Sequence, residues 1–144
     1  MTTFPKAGRL LKRSDFLRAA RRGVKAARPG LVLQAYDRDR DMKDSALPDG
    51  QGASPFRGMR LGLTASRKVG NAVTRNRARR RLRSAAEEVL PVCGRPRTDY
   101  VLIARAETPV RPYDALLEDL RSAIRQIEKK RGGTGKEKTV ATKQ

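Results

Sequence analysis

The chain has 144 residues, one cysteine, no histidine and a formal net charge of +19. That length fits one domain with one modest core; the lone cysteine excludes an internal disulfide, the missing histidine removes the commonest general base and a usual zinc ligand, and no apolar run approaches the ~18 residues of a membrane span. Charge of this size requires an anionic partner, nucleic acid before a membrane surface, and little of it is terminal: six basic and one acidic residue stand from Lys129 onward, so +14 belongs to residues 1–128.

Residues 1–8 read as a flexible N-terminus without the apolar core of an export signal, which with the unpaired cysteine points to the cytoplasm. Ser14 is placed to cap a short helix over residues 15–22, with Asp15 favourable in its first turn and Gly23 as its stop. Phe16, Ala19 and Ala20 form its apolar side; Arg18, Arg21 and Arg22 form its polar side. Pro29 and Gly30 then break the chain. Residues 31–36 (LVLQAY) read as a strand, with Leu31, Leu33 and Ala35 on one face and Val32, Gln34 and Tyr36 on the other.

Residues 37–58, with Pro48, Gly50, Gly52 and Pro55, read as a mobile inserted loop. Asp37, Asp39 and Asp41 imitate the start of a calcium loop. Met42 and Pro48 stand where that loop needs glycine and a bidentate glutamate, so no metal site is assigned. Residues 59–66 alternate as a second strand, Leu61, Leu63 and Ala65 against Arg60, Gly62, Thr64 and Ser66.

Residues 66–83 (SRKVGNAVTRNRARRRLR) carry eight basic side chains and no acid, and nothing negative lies between Asp49 and Glu87. At about 100° per residue, Ala78, Leu82, Ala85, Ala86 and Val89 share one stripe, while Arg77, Arg79, Arg80, Arg81 and Arg83 spread over the remaining circumference. A merely solvated helix or a localisation signal is the alternative reading. A solvated face, however, normally mixes signs, because opposite charges three or four apart stabilise it and like charges oppose it. Here the compensating charge must come from outside, and a phosphate backbone is the simplest polyanion. Arginine suits planar, bidentate phosphate recognition.

Pro91, Gly94 and Pro96 read as a loop after this helix. Residues 100–105 (YVLIAR) read as a strand covered on both faces. Pro112 opens a last helix in which Tyr113, Leu116, Leu117, Leu120, Ile124 and Ile127 form a core stripe. Residues 129–144 read as a disordered basic tail. The order helix, strand, strand, helix, strand, helix is an α+β sandwich of a small mixed sheet and three helices, forming a single domain over residues 9–128. A parallel connection through the arginine helix would ordinarily be right-handed.

Three function classes compete. A stand-alone nuclease would need a base and a metal cluster that the residue types do not supply. A general RNA- or DNA-coating protein fits the composition equally well. A membrane-active helix is disfavoured because the stripe around Leu82 is narrow and alanine-rich.

The residues closely resemble one family, the bacterial ribonuclease P protein subunit. Its signature K-x-G-x-A-V-x-R-N-R-x-(K/R)-R is met by Lys68-Val69-Gly70-Asn71-Ala72-Val73-Thr74-Arg75-Asn76-Arg77-Ala78-Arg79-Arg80, with support from RLLKRSDF, RLGLTAS and DYVLIAR; together these matches cover most of residues 9–127. The resemblance implies a sheet of three to four strands with three helices, like a small-subunit ribosomal protein, and an unusual left-handed crossover through the arginine helix. It implies a large catalytic RNA as partner, which with magnesium removes the 5′ leader from precursor tRNA. It further implies no catalytic residue, metal or cofactor in the protein alone, no DNA or membrane partner, and a monomer when free. The matching RNA-binding residues are Arg67, Lys68, Arg75, Asn76, Arg77, Arg79, Arg80 and Arg83. A leader cleft between the first helix and the sheet would take Lys12, Arg13, Phe16, Leu33 and Tyr36. Ala20 and Gln34 stand where family members often carry aromatics; Tyr36 shares a face with Gln34 and is expected to replace one of them.

Overall fold

The computed structural model describes residues 8–10, 12–38 and 58–132. The expected flexible N-terminus (apart from Gly8), the bulk of the expected loop (residues 39–57) and most of the expected tail (residues 133–144) lie outside the described residues. The elements are β1 (Gly8–Arg9), α1 (Arg13–Arg22), β2 (Val24–Arg28), β3 (Leu31–Asp37), β4 (Arg60–Thr64), a 3-10 turn (Arg67–Val69), α2 (Ala72–Cys93), β5 (Thr98–Ala104) and α3 (Tyr113–Gly132). They make one mixed sheet in the order β1-β4-β5-β3-β2. β1 and β5 run parallel to β4, while β3 is antiparallel to both β5 and β2.

The sheet therefore has four full strands and a two-residue edge, one full strand more than the residue pattern alone gives. The added strand is β2. Its sequence, VKAAR, is rich in residues with little strand preference of their own. It forms because Pro29 and Gly30 close a two-residue hairpin that pairs Arg28 with Leu31, and because α3 covers it.

Strand alternation sends two sets of side chains to two different cores. Leu31, Leu33 and Ala35 of β3 and Tyr100, Leu102 and Ala104 of β5 face α2 and α3 in the main core. There they meet Ala78, Leu82, Ala85, Ala86 and Val89, the stripe expected for the arginine helix, and Leu116, Leu120, Ile124 and Ile127 of α3. The alanines let α2 lie close to its neighbours, and Leu82 adds about 1.5–3 kcal/mol of apolar burial. The opposite face carries a smaller cluster beneath α1, where Leu10, Ala19, Tyr36 and Val101 are packed by Phe16 and Ile103.

Element ends depart from the expected ones for local reasons. α1 starts at Arg13 with Lys12 as N-cap, so Ser14 does not cap it. Asp15 is drawn inward by its ion pairs with Arg18 and Arg60. α2 continues through Pro91 to Cys93 rather than ending before it; a proline so near the end costs only one late N–H donor. α3 runs to Gly132, beyond the expected tail boundary. Its last turns are tied down by buried Ile127 and by Lys130, whose Nζ donates to the Lys25 carbonyl at 2.7 Å.

A polar chain joins the layers. The Arg81 guanidinium donates to the carbonyls of Pro109 and Arg111. Arg111 in turn donates through Nε to Asp119 at 2.6 Å, and Asp119 also accepts from the Gly30 N–H at 3.0 Å. Arg81, although part of the basic run, is thus a structural clamp between α2, the approach to α3 and the β2–β3 hairpin.

Candidate nucleic-acid interface

β4 delivers the chain into the basic turn, which is shaped by two side-chain caps. Ser66 Oγ accepts from the Lys68 N–H at 3.3 Å, and Asn71 Oδ1 accepts from the Thr74 N–H at 2.9 Å. Between them Gly70 takes φ = 147°, a conformation that side-chain-bearing residues rarely adopt. The first turn of α2 contains no acid, so its N–H groups add to the positive potential of the turn.

The expected RNA-binding residues converge here. Arg67, Lys68, Asn76, Arg77, Arg80 and Arg83 are exposed, while Arg75 and Arg79 are half-buried. Arg75 donates to the Gly70 carbonyl at 3.0 Å and Arg79 to Asn76 Oδ1 at 2.8 Å. Both acceptors are neutral, so both guanidinium groups are aimed without being neutralised. Among the described residues none of these seven cations forms an ion pair with a carboxylate. Asn76 spends its acceptor on Arg79 and leaves its amide N–H groups free to donate.

The second expected surface is only partly assembled. Lys12 and Arg13 are exposed at the start of α1, and Phe16 is half-buried beside them. The Phe16 ring rests on β4 where Gly62 leaves room: a Cβ on Gly62 would lie 2.6 Å from Phe16 Cε1 and 3.0 Å from Leu10 Cδ1. Leu33 does not belong to this surface. Alternation along β3 turns it to the other side of the sheet, where it is 0% exposed in the main core. Tyr36 lies on the correct face but is 2% exposed beneath α1, so it cannot offer a ring for stacking in place of Gln34, which is itself buried.

Beneath α1 lies an ion network that residue patterns did not reveal. Asp99, 0% exposed on β5, accepts from Arg38 and, through both carboxylate oxygens, from Arg60 at 2.8 Å. Arg60 also approaches Asp15 at 3.5 Å, and Asp15 accepts from Arg18 at 2.9 Å. The Asp99 hydrogen bonds hold the Arg60 guanidinium above the usual arginine range. Burial pushes Arg38 below it, against the pull of Asp99. Two chain-distant carboxylates are thereby committed to fixing α1 on β4 and β5. The signal for this in the sequence is a charged residue, Asp99, set directly before the apolar run of β5.

Among the described residues no group of three His, Cys, Asp or Glu side chains is placed to hold a metal ion, and no helix is long and apolar enough to cross a membrane. The site presents fixed cations, amide donors and one aromatic edge. That is equipment for holding a polyanion.

The family model described as Ribonuclease P matches residues 4–128. A Ribonuclease P protein component of Ruegeria pomeroyi is 50% identical over 119 residues, covering 82% of this chain and 84% of that one. Its counterpart in Paramagnetospirillum magneticum is 47% identical over 120 residues, covering 83% and 81%. Among solved structures, the Staphylococcus aureus RNase P protein superposes with a TM-score of 0.62 at 24% identity, over 84% of this chain and 95% of that one. The Thermotoga maritima RNase P protein gives 0.62 at 22%, over 83% and 96%. At these identities the two structures speak for the fold alone.

Proposed function

The chain belongs to the ribonuclease P protein family, and from that premise we propose how its surfaces divide the work of the enzyme. As a member it serves an RNA-based endonuclease that removes the 5′ leader of precursor tRNA, and it supplies no catalytic residue. The basic turn and α2 hold the RNA subunit through phosphates, with Arg67, Lys68, Arg77, Arg80 and Arg83 outermost and Arg75 and Arg79 aimed by neutral acceptors. Phosphate contacts of this kind fix position and affinity and carry little sequence information. Asn76 adds amide donors that can meet a base edge or a sugar oxygen.

The start of α1 receives the leader. Lys12 and Arg13 meet its backbone, and Phe16 provides one stacking edge, worth about 1–3 kcal/mol per stacked base. Tyr36 supports that wall from beneath α1. Magnesium belongs with the catalytic RNA, and the free protein is a cytoplasmic monomer. DNA and membranes are not its partners. The observation that carries this reading is the set of seven cations, none paired with a carboxylate among the described residues, on the basic turn and the acid-free first half of α2.

Reconstitution tests it. Leader removal at low magnesium should require the RNA subunit and accelerate when this chain is added. The chain incubated alone with precursor tRNA and magnesium should cut nothing. Cleavage by protein alone would move it to the stand-alone nuclease class.

A further inference from the structure

We infer that the groove between β2 and the C-terminal half of α3 is a further binding site for RNA phosphates, on the side of α3 away from α2. It is lined by Arg28, Ser122, Arg125, Gln126, Lys129 and Lys130 and encloses about 600 Å³, a size typical of ligand clefts. Ser122, Arg125, Gln126 and Lys129 recur at spacings of three and four, so they share one face of α3. That face is distinct from the one carrying Leu116, Leu120, Ile124 and Ile127 into the core.

The charges are held in place and left largely unmatched. Arg28 donates to Ser122 Oγ at 2.7 Å, to the Ser122 carbonyl at 3.4 Å and to the Ala27 carbonyl at 3.0 Å. All three acceptors are neutral, so the guanidinium is oriented at no loss of charge. Lys130 is steadied by the Lys25 carbonyl. Lys129 is exposed and makes no ion pair or hydrogen bond among the described residues. One carboxylate, Glu118, serves Arg125 at 3.0 Å and is shared with Arg121 at 3.8 Å. Four of the groove's lining residues are thus cations, and among the described residues the one carboxylate paired with any of them is Glu118; a run of phosphates supplies the missing negative charge.

Position gives the groove its consequence. α2 packs on β4, β5 and α3, and α3 packs on β2 and β3. The groove therefore opens at the β2 edge, with α3 between it and the arginine surface. A phosphate-binding groove on the other side of α3 from the arginine surface lets one small protein hold an additional RNA segment, and that contact forms at high effective concentration once the others are made. The partner segment is either a distal part of the RNA subunit or the body of the precursor tRNA. Both present the same chemistry.

The inference rests on the chain working on RNA, and the experiment separates the two questions. Lys129→Glu and the double variant Arg125→Ala/Lys129→Ala are prepared in the full chain, with Arg121→Glu as a control outside the groove and Arg77→Ala/Arg80→Ala as the α2 reference. Binding is measured over a salt series in two arms: to the isolated RNA subunit, and of precursor tRNA to the reconstituted holoenzyme. Each lost phosphate contact lowers the slope of log affinity against log salt by about 0.7–0.9, so the double variant should lower it by about 1.5 in the arm that contains the groove's partner. Lys129→Glu should act in the same arm with an unchanged melting curve, so it decides the matter even if the double variant folds poorly. Unchanged slopes in both arms overturn the groove, as does an equal effect of Arg121→Glu. If the Arg77/Arg80 variant also leaves the slopes unchanged, it is the RNA-holding role of α2 that fails.

Discussion

Replacing Arg77 and Arg80 by alanine removes two of the five exposed cations of the arginine surface; the others are Arg67, Lys68 and Arg83. Neither side chain touches a carboxylate, and the buried stripe of α2 is untouched, so the helix itself should persist. With five phosphate contacts, log affinity for the RNA subunit falls with log salt at a slope of about −3.5 to −4.5. Between 50 and 200 mM salt, binding then weakens about 100- to 500-fold in the parent and only about 20- to 40-fold in the variant. Fluorescence anisotropy with labelled RNA subunit reads both curves, and circular dichroism checks the helix. A parent curve that is nearly flat, or a variant slope equal to the parent's, would refute the assignment of these arginines to phosphates.

Phe16→Ala should weaken precursor tRNA binding by the reconstituted enzyme about 5- to 150-fold, the worth of one stack, and leave mature tRNA nearly unaffected; equal losses for both substrates would remove Phe16 from the leader wall. Gly62→Ala drives a methyl into the Phe16 ring and should cost about 1–3 kcal/mol in urea unfolding, with the same selective loss of precursor affinity. Asp99→Ala strands Arg38 and Arg60 in a buried site and should destabilise the fold by about 3–5 kcal/mol, seen as a lowered denaturation midpoint; a loss below about 1 kcal/mol would mean the network is as weak as a surface pair. Leu33→Ala should cost about 2–5 kcal/mol of stability without distinguishing precursor from mature tRNA.

Periodic patterns carried the architecture because burial in this fold follows period. The α2 stripe and the two faces of β3 and β4 are readable from spacing alone, and the acid-free window already marks the stretch whose cations the fold leaves without carboxylate partners among the described residues. β2 escaped notice because alanine and lysine carry no strand signal; its existence depends on β3 and α3 being present to receive it. The ion network escaped because Arg60 and Asp99 meet only through the β4–β5 register, 39 positions apart in the chain. Leu33 was assigned to the cleft through family likeness although alternation already turned it away. Tyr36 faced the correct side, but only the docking of α1 over it decides that its ring is hidden.

β4 is one short strand, yet both proposed RNA-facing surfaces depend on it. Its middle carries Gly62 beneath Phe16, its start carries Arg60 beneath α1, and its end leads directly into the basic turn. Five residues of extended chain span about 16 Å and stretch very little. The strand therefore acts as a gauge bar: on the proposed assignment of the two surfaces, it sets a constant offset between the place where substrate enters and the place where the ribozyme is gripped.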